Sequence, residues 1–232
     1  LQPKPEDVKR VAHIDQKRRA NYAGLVVNLD DNVGKVLDCL KTEGLDGNTI
    51  VLFTNDNGGQ TSNGANNTPL QGKKGTLWEG GVRVPWVMRW KGEIPAGSII
   101  DQPVIALDLL PTLIEAAGGE LSLDWNLDGR SFLELLGEKR KTASLVEVAR
   151  PLFWRQGGSG GPRAMREGKW KIIHNRNSGD KPALFDLSKD VGESRDLSNE
   201  NGEVLKAMLR KLNVWEKQLE EPRWGPGASR KN

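Results

Sequence analysis

The sequence predicts an α/β fold of helices and strands, followed by a small carboxyl-terminal antiparallel sheet with one packed helix. Residues 18–42 have helical periodicity, and the apolar run 49–53 has the composition of a buried strand. From about residue 143, short strand-like runs alternate with glycine and charge clusters, as in an antiparallel sheet. We therefore divide the chain into an α/β portion, residues 1–142, and a small subdomain with a terminal helix and tail, residues 143–232.

Composition excludes several classes of protein. The 232 residues include 34 basic and 31 acidic side chains, and no basic run is interleaved with aromatics, which argues against a nucleic-acid partner. The single cysteine, Cys39, excludes an internal disulfide. No apolar run approaches the length of a membrane span, and no signal peptide is recognisable at Leu1.

In the first half of the chain, residues 1–8 are predicted as a loop, and His13, among charged residues, as a surface histidine. The helix over residues 18–42 has one apolar face and ends at Gly44. Its apolar residues are spaced three or four apart: Tyr22, Leu25, Val26, Leu29, Val33, Val36, Leu37 and Leu40.

After the buried strand at 49–53, a second strand is predicted within residues 82–90 and a helix over 105–117. Asp108 is expected to cap that helix rather than to act in catalysis, and a short helix follows at 131–136. Strands are predicted at 145–148, 152–155, 164–166, 170–174 and 183–187. Apolar residues between 204 and 219 line one face of a helix that would pack on this sheet, and a loosely ordered tail follows from 223.

The stretch that follows the first strand carries the candidate chemistry. The strand ends in Asp56, Asn57, Gly58 and Gly59, and ligands of open α/β sheets gather at the carboxyl ends of strands. Carboxylate and amide oxygens suit a hard divalent cation, although the same residues also favour a plain turn. Lys74 follows within GKKGT, where flanking glycines let the backbone approach an anion that the ammonium attracts.

The strings FTNDNGG and NNTPLQGKKGTLWEGGVRVP closely resemble type I sulfatases of the alkaline phosphatase superfamily, and the resemblance extends along nearly all of the chain. It implies an alkaline-phosphatase-like mixed sheet, with residues 1–142 as the carboxyl-terminal part of the catalytic domain. By the same resemblance, Asp56 and Asn57 match calcium ligands, and Lys74 matches the catalytic lysine that contacts the sulfate ester. Residues 79–85 (EGGVRVP) match a structural stretch of the family.

The family's nucleophile is a formylglycine, made from a cysteine or serine that is followed at the second position by proline or alanine and at the fourth by arginine. Cys39 fails at both positions, and Ser159 has Arg163 at the right distance but Gly161 instead of proline or alanine. The family's paired aspartate ligands are also missing. We therefore expect the chain alone to be catalytically incomplete, with activity restored only by an upstream segment.

Three functions stay open at this point. The first is a sulfuric ester hydrolase, or a truncated piece of one, that acts on a sulfate ester such as a sulfated carbohydrate with the help of calcium. The second is a phosphate or carboxylic ester hydrolase that uses the residual metal site. The third is a non-catalytic remnant that binds sulfated ligands or oligomerises, because a cut domain exposes sheet edges and apolar surface. The resemblance implies a periplasmic or secreted location. The sheet edges and apolar surface of a cut domain lead us to expect association with a second copy or with the missing amino-terminal half.

Overall fold

The fold was obtained as a computed structural model, which describes residues 1–137, 150–158, 160–175 and 179–223. The chain forms two compact units. The first comprises Leu1–Val33, Thr54–Trp86 and Ala149–Asn232, and the second comprises Gly34–Phe53 and Val87–Val148. The predicted domain boundary between residues 142 and 143 and the predicted strand 145–148 lie outside the described residues, so both stay predictions.

The prediction of a loop over residues 1–8 is wrong, because helix α1 spans Pro5–Arg10. Proline is tolerated at the start of a helix, where its missing amide proton has no partner in any case. Acidic Glu6 and Asp7 in the first turn and basic Lys9 and Arg10 in the last turn complement the helix dipole. The buried Asp7 accepts a hydrogen bond from Asn28 Nδ2 (3.0 Å) and so holds α1 against the next helix.

Helix α2 spans Lys17–Thr42, close to the predicted bounds. Gly44 follows it with φ of 69°, and its amide donates to the carbonyl of Lys41, which ends the helix as expected. Ala20 and Gly24 are buried, whereas Val26, Leu29 and Val36 of the predicted apolar face are 47–57% exposed. His13 is exposed, in agreement with a surface position.

The second unit contains most of a two-stranded sheet and a short helical layer. Strands β1 (Ile50–Thr54) and β2 (Trp86–Trp90) are neighbours in this sheet. The short helix α3 (Glu79–Val82) comes between these strands in the sequence and belongs to the first unit. Helix α4 (Leu109–Ala116) follows a 3₁₀ turn at Ala106–Asp108, and further 3₁₀ turns lie at Leu123–Trp125 and Leu133–Leu135.

Asp108 has a structural role, although it is not the simple helix cap that the sequence predicts. Its buried carboxylate accepts hydrogen bonds from the amides of Ile105 and Arg130, both at 2.9 Å, and none from the first turn of α4. It therefore joins the 3₁₀ turn to the segment that follows α4. These bonds hold the backbone at Ile105 and Arg130 in place and do not indicate a catalytic role for Asp108.

The carboxyl-terminal sheet has the strand order β3–β4–β5–β6, with antiparallel neighbours. Its strands are β3 (Leu152–Arg155), β4 (Arg163–Glu167), β5 (Trp170–His174) and β6 (Ala183–Asp186). Helix α5 (Gly202–Glu216) packs Met208 and Leu212 on one face of this sheet, as predicted. The opposite face packs against Leu77 and Trp78, with the Trp78 and Phe185 ring centroids 5.4 Å apart. The segment that contains GKKGT is thus anchored on this sheet.

Within the described ranges, none of the helices is both long enough and apolar enough to span a bilayer.

Candidate active site

Asp56 and Asn57 follow Asn55, the first residue after β1, and lie in a bend. Asp56 is exposed and Asn57 is half-buried. Among the residues that the structure describes, neither side chain makes a hydrogen bond or an ion pair. Their oxygens are therefore available to a ligand.

Gly58 and Gly59 fasten this bend to two other segments. The amide of Gly58 donates to the carbonyl of Gly81 at 2.9 Å, and the amide of Lys74 donates to the carbonyl of Gly59 at 3.2 Å. The amide of Gly80 in turn donates to the carbonyl of Gln71 at 2.7 Å. The backbone of Lys74 therefore lies beside the bend that carries Asp56 and Asn57.

Asn67 is a residue of this region that the sequence analysis missed. Its amide nitrogen donates to the carbonyls of Gly59 (2.9 Å) and Gly72 (3.0 Å), and its oxygen accepts from the amide of Gly59 (3.1 Å). One side chain thus joins the bend to the GKKGT segment. Its position in a polar run of asparagine and glycine gave no sign of this bridge.

Lys74 is exposed, and its ammonium makes no ion pair within the described ranges. Its neighbour Lys73 is also exposed, but its backbone is held through Thr76, whose hydroxyl donates to the Lys73 carbonyl at 2.8 Å. The structure brings the backbone of Lys74 to the bend that carries Asp56 and Asn57. The roles of Asp56, Asn57 and Lys74 in binding and catalysis stay predictions.

A calcium site needs more ligands than this bend supplies. The described residues contain no group of three or more histidine, cysteine, aspartate or glutamate side chains that could hold a metal. Calcium takes six to eight oxygens. Asp56 and Asn57 fit its preference for carboxylate and amide oxygens, but only as part of a shell.

Gly58 has no room for a side chain, which yields a testable prediction. A Cβ atom there would lie 1.8 Å from the carbonyl oxygen of Gly80. Gly58→Ala must therefore push the bend away from α3 and break the bond to Gly81, at a cost of about 1–3 kcal/mol in the free energy of unfolding. Chemical denaturation measures this loss. Gly34→Ala in α2, where a Cβ meets nothing within 4 Å, is the control and should not destabilise; equal stability of the two variants would contradict the prediction.

A buried charge cluster at the first residue of α3 is formed by Glu79, Lys171 and Glu193. All three are at most 2% exposed. Lys171 Nζ lies 2.7 Å from Glu79 Oε1 and 2.8 Å from Glu193 Oε1, while Glu193 Oε2 accepts from the amide of Glu79 at 2.6 Å. Arg83 and Arg166 approach the second oxygen of Glu79 at 3.9 Å and 3.8 Å. The cluster ties α3 to β5 and to the loop after β6.

The loop that presents Glu193 is itself built by hydrogen bonds. Asp190 accepts from the amides of Arg195 (2.8 Å) and Ser194 (2.7 Å), and the bond from Arg195 contributes most to lowering the pKa of Asp190. Glu193 has a φ of 54°, in the left-handed region. Burial raises the pKa of Glu193, and the charge of Lys171 offsets part of that effect. Lys171 therefore balances the negative charge of the two buried carboxylates in this cluster.

The sequence analysis did not identify Lys171 or Glu193. One signal was available: a lysine in the middle of the strand WKIIH, at a position that alternation assigns to the same face as Ile173. A charged residue on a buried strand face needs a partner of opposite charge. Cys39, which does not fit the formylglycine pattern, is exposed on α2. Ser159, which does not fit it either, lies outside the described residues.

Two protein-family models match the chain. The model described as Sulfatase matches residues 2–119. The model described as N-sulphoglucosamine sulphohydrolase, C-terminal, matches residues 72–218.

Curated relatives include a protein named Sulfatase from Formosa agariphila, which is 34% identical over 225 residues, covering 85% of this chain and 39% of the relative. Human arylsulfatase D is 29% identical, covering 88% of this chain and 40% of the relative. The chain therefore spans about two fifths of the length of these relatives.

Solved structures of similar fold include Ps i-CgsB in complex with k-i-k-neocarrahexaose. That structure has a TM-score of 0.88 and 33% identity. The match covers 96% of this chain and 48% of the other chain. Another solved structure is a complex with its substrate, D-glucosamine-2-N,6-O-disulfate. It has a TM-score of 0.69, and the match covers 86% of this chain and 40% of the other chain. Its identity of 22% makes it evidence for the fold alone.

Proposed function

The chain belongs to the type I sulfatase family, and on that premise we propose that it forms part of a sulfuric ester hydrolase. The family matches and the structural relatives confirm the predicted resemblance and the predicted alkaline-phosphatase-like α/β fold. One observation supports the proposal more than any other: the hydrogen bond from the Lys74 amide to Gly59, reinforced by the Asn67 bridge. It supports the proposal because the segment that would bind the anion lies beside the bend that would bind the metal.

In this proposal, Asp56 and Asn57 hold part of a calcium shell, and other ligands complete it. Calcium, when bound, supplies positive charge that polarises an ester oxygen. Lys74 directs its ammonium to the sulfate oxygens, where it stabilises the negative charge that develops as the ester bond breaks. Since the bend and the GKKGT segment are bonded through their backbones, the backbone positions that carry the two charges lie side by side.

The attacking group comes, in this proposal, from outside the 232 residues. Neither Cys39 nor any serine of the sequence fits the formylglycine pattern. Turnover therefore requires a segment that carries this residue and the remaining calcium ligands.

We propose a sulfated carbohydrate as the substrate class. Support comes from the structural relative with 33% identity, whose crystal structure contains the oligosaccharide k-i-k-neocarrahexaose. No contact within the described residues favours a phosphate or carboxylic ester instead.

The test is a substrate panel with and without chelator. The chain is assayed alone and joined to an amino-terminal sulfatase segment, on an aryl sulfate, a sulfated oligosaccharide, an aryl phosphate and a carboxylic ester. We expect turnover of sulfates only by the joined protein, loss of that turnover with EDTA and its recovery with calcium. Preferred turnover of the phosphate or the carboxylic ester would overturn the proposal, as would robust sulfatase activity of the chain alone.

A further inference from the structure

The buried cluster is connected to the candidate active site through a continuous series of side-chain and backbone contacts that runs along α3. Glu193 and Lys171 both bond to Glu79, the first residue of α3. The next two residues, Gly80 and Gly81, bond to Gln71 and Gly58. Every step of this series is a hydrogen bond or ion pair of 2.6–2.9 Å within the first unit.

The glycines of α3 make this connection stiff. A Cβ on Gly80 would lie 2.6 Å from the carbonyl of Gln71, and a Cβ on Gly81 would lie 2.2 Å from the carbonyl of Thr76. The backbones of these segments are therefore in direct contact, with no side chain between them to absorb a shift. A displacement of Glu79 must move Gly81 and, through it, Gly58.

The cluster holds Glu79 in a way that apolar packing would not. The ammonium of Lys171 lies between two carboxylates, and Glu193 also accepts the amide of Glu79, so that both the backbone and the side chain of Glu79 are held. Hydrogen bonds between charged groups fix direction as well as distance. This argues for a role in setting geometry.

We propose that Lys171 and Glu193 are positioning residues for the candidate active site: through Glu79 and α3 they set the placement of the bend that carries Asp56 and Asn57 and of the segment that carries Lys74. Neither residue contacts the substrate. Their effect on catalysis rests on the proposed function, whereas their effect on the placement of the backbone does not.

Hydrogen exchange of backbone amides tests the placement directly. In Lys171→Met we expect loss of protection at the amides of Gly58, Gly80 and Lys74, the three donors that join the segments. Leu212→Ala is the matched control, because Leu212 is buried on the opposite face of the same sheet and its loss destabilises the sheet without touching the cluster. Under native conditions this control should leave the three amides protected.

A second pair of variants keeps the proposal testable if Lys171→Met does not fold. Glu193→Gln retains an oxygen that can accept from the Glu79 amide, whereas Glu193→Ala does not. We expect Glu193→Ala to lose protection at the three amides and Glu193→Gln to retain more of it. Unchanged protection in Lys171→Met and Glu193→Ala, or an equal loss in Leu212→Ala, would overturn the proposal.

The kinetic readout separates this inference from the proposed function. In an active joined protein, Lys171→Met should lower kcat/KM by about 10- to 100-fold. This is the range seen for residues that orient metal ligands without binding the metal themselves. Leu212→Ala should leave it near the wild-type value at a temperature where both proteins are folded. If the wild-type protein shows no sulfatase activity while the protection pattern changes as expected, the proposed function fails and the positioning role stands.

Discussion

Replacing Lys74 by alanine is expected to lower kcat/KM for a sulfate ester by about 100- to 1,000-fold in a protein that turns the ester over. The ammonium is the one cationic group that the resemblance assigns to the sulfate oxygens, and its segment is bonded to the metal-binding bend at Gly59. Because the side chain is exposed, its loss should not change the free energy of unfolding. Steady-state kinetics on an aryl sulfate measure the effect.

Lys73→Ala provides a matched control. Lys73 is the adjacent residue, carries the same charge and is also exposed, so its removal changes the net charge and the field around the site in a similar way. We expect a change in kcat/KM of less than about tenfold. If both variants lose activity to the same extent, Lys74 contributes only to the long-range attraction of the anionic substrate. Its assignment as the sulfate-binding residue is then wrong.

The second large effect is on stability. Lys171→Met should lower the free energy of unfolding by about 3–5 kcal/mol, because it leaves Glu79 and Glu193 buried without the ammonium that compensates them. Methionine has a similar length and no charge, so that the lost ion pairs account for most of the change. Equilibrium unfolding in urea, followed through the tryptophans, measures this quantity.

Two further variants test the cause of that loss. Lys211→Met removes an ion pair with Glu167 from a half-exposed site on the same subdomain, and it should cost at most about 1 kcal/mol. Lys171→Met combined with Glu193→Gln should recover part of the stability, since one buried charge is removed with its partner. A cost for Lys171→Met no larger than that for Lys211→Met would show that the cluster is solvated or rearranged.

Local patterns predicted most of the regular structure. Helix α2 and strands β3 and β5 were predicted within one residue at each end, because their apolar periods and flanking glycines act over a few residues. Helix α1 was missed because its proline was interpreted as a loop signal, although Pro5 stands at the first helical position.

Some residues of the candidate site could likewise be predicted from the sequence, and others could not. The bend at Asp56 and the GKKGT segment could be recognised because each is a short contiguous motif. Lys171 and Glu193 could not, because they reach Glu79 from positions 92 and 114 residues away, and sequence alone does not pair such distant charges. Asn67 was missed for a different reason: its bonds are local, but an asparagine in a polar loop is typical of any turn.

A crystal structure of the active protein with a sulfated oligosaccharide bound tests the central claim most directly. We predict a sulfate group whose oxygen lies about 3 Å from Lys74 Nζ, beside a calcium ion that Asp56 and Asn57 ligate. A sulfate bound elsewhere, with the Lys74 ammonium directed away from Asp56 and Asn57, would contradict the assignment of this bend and segment as one active site.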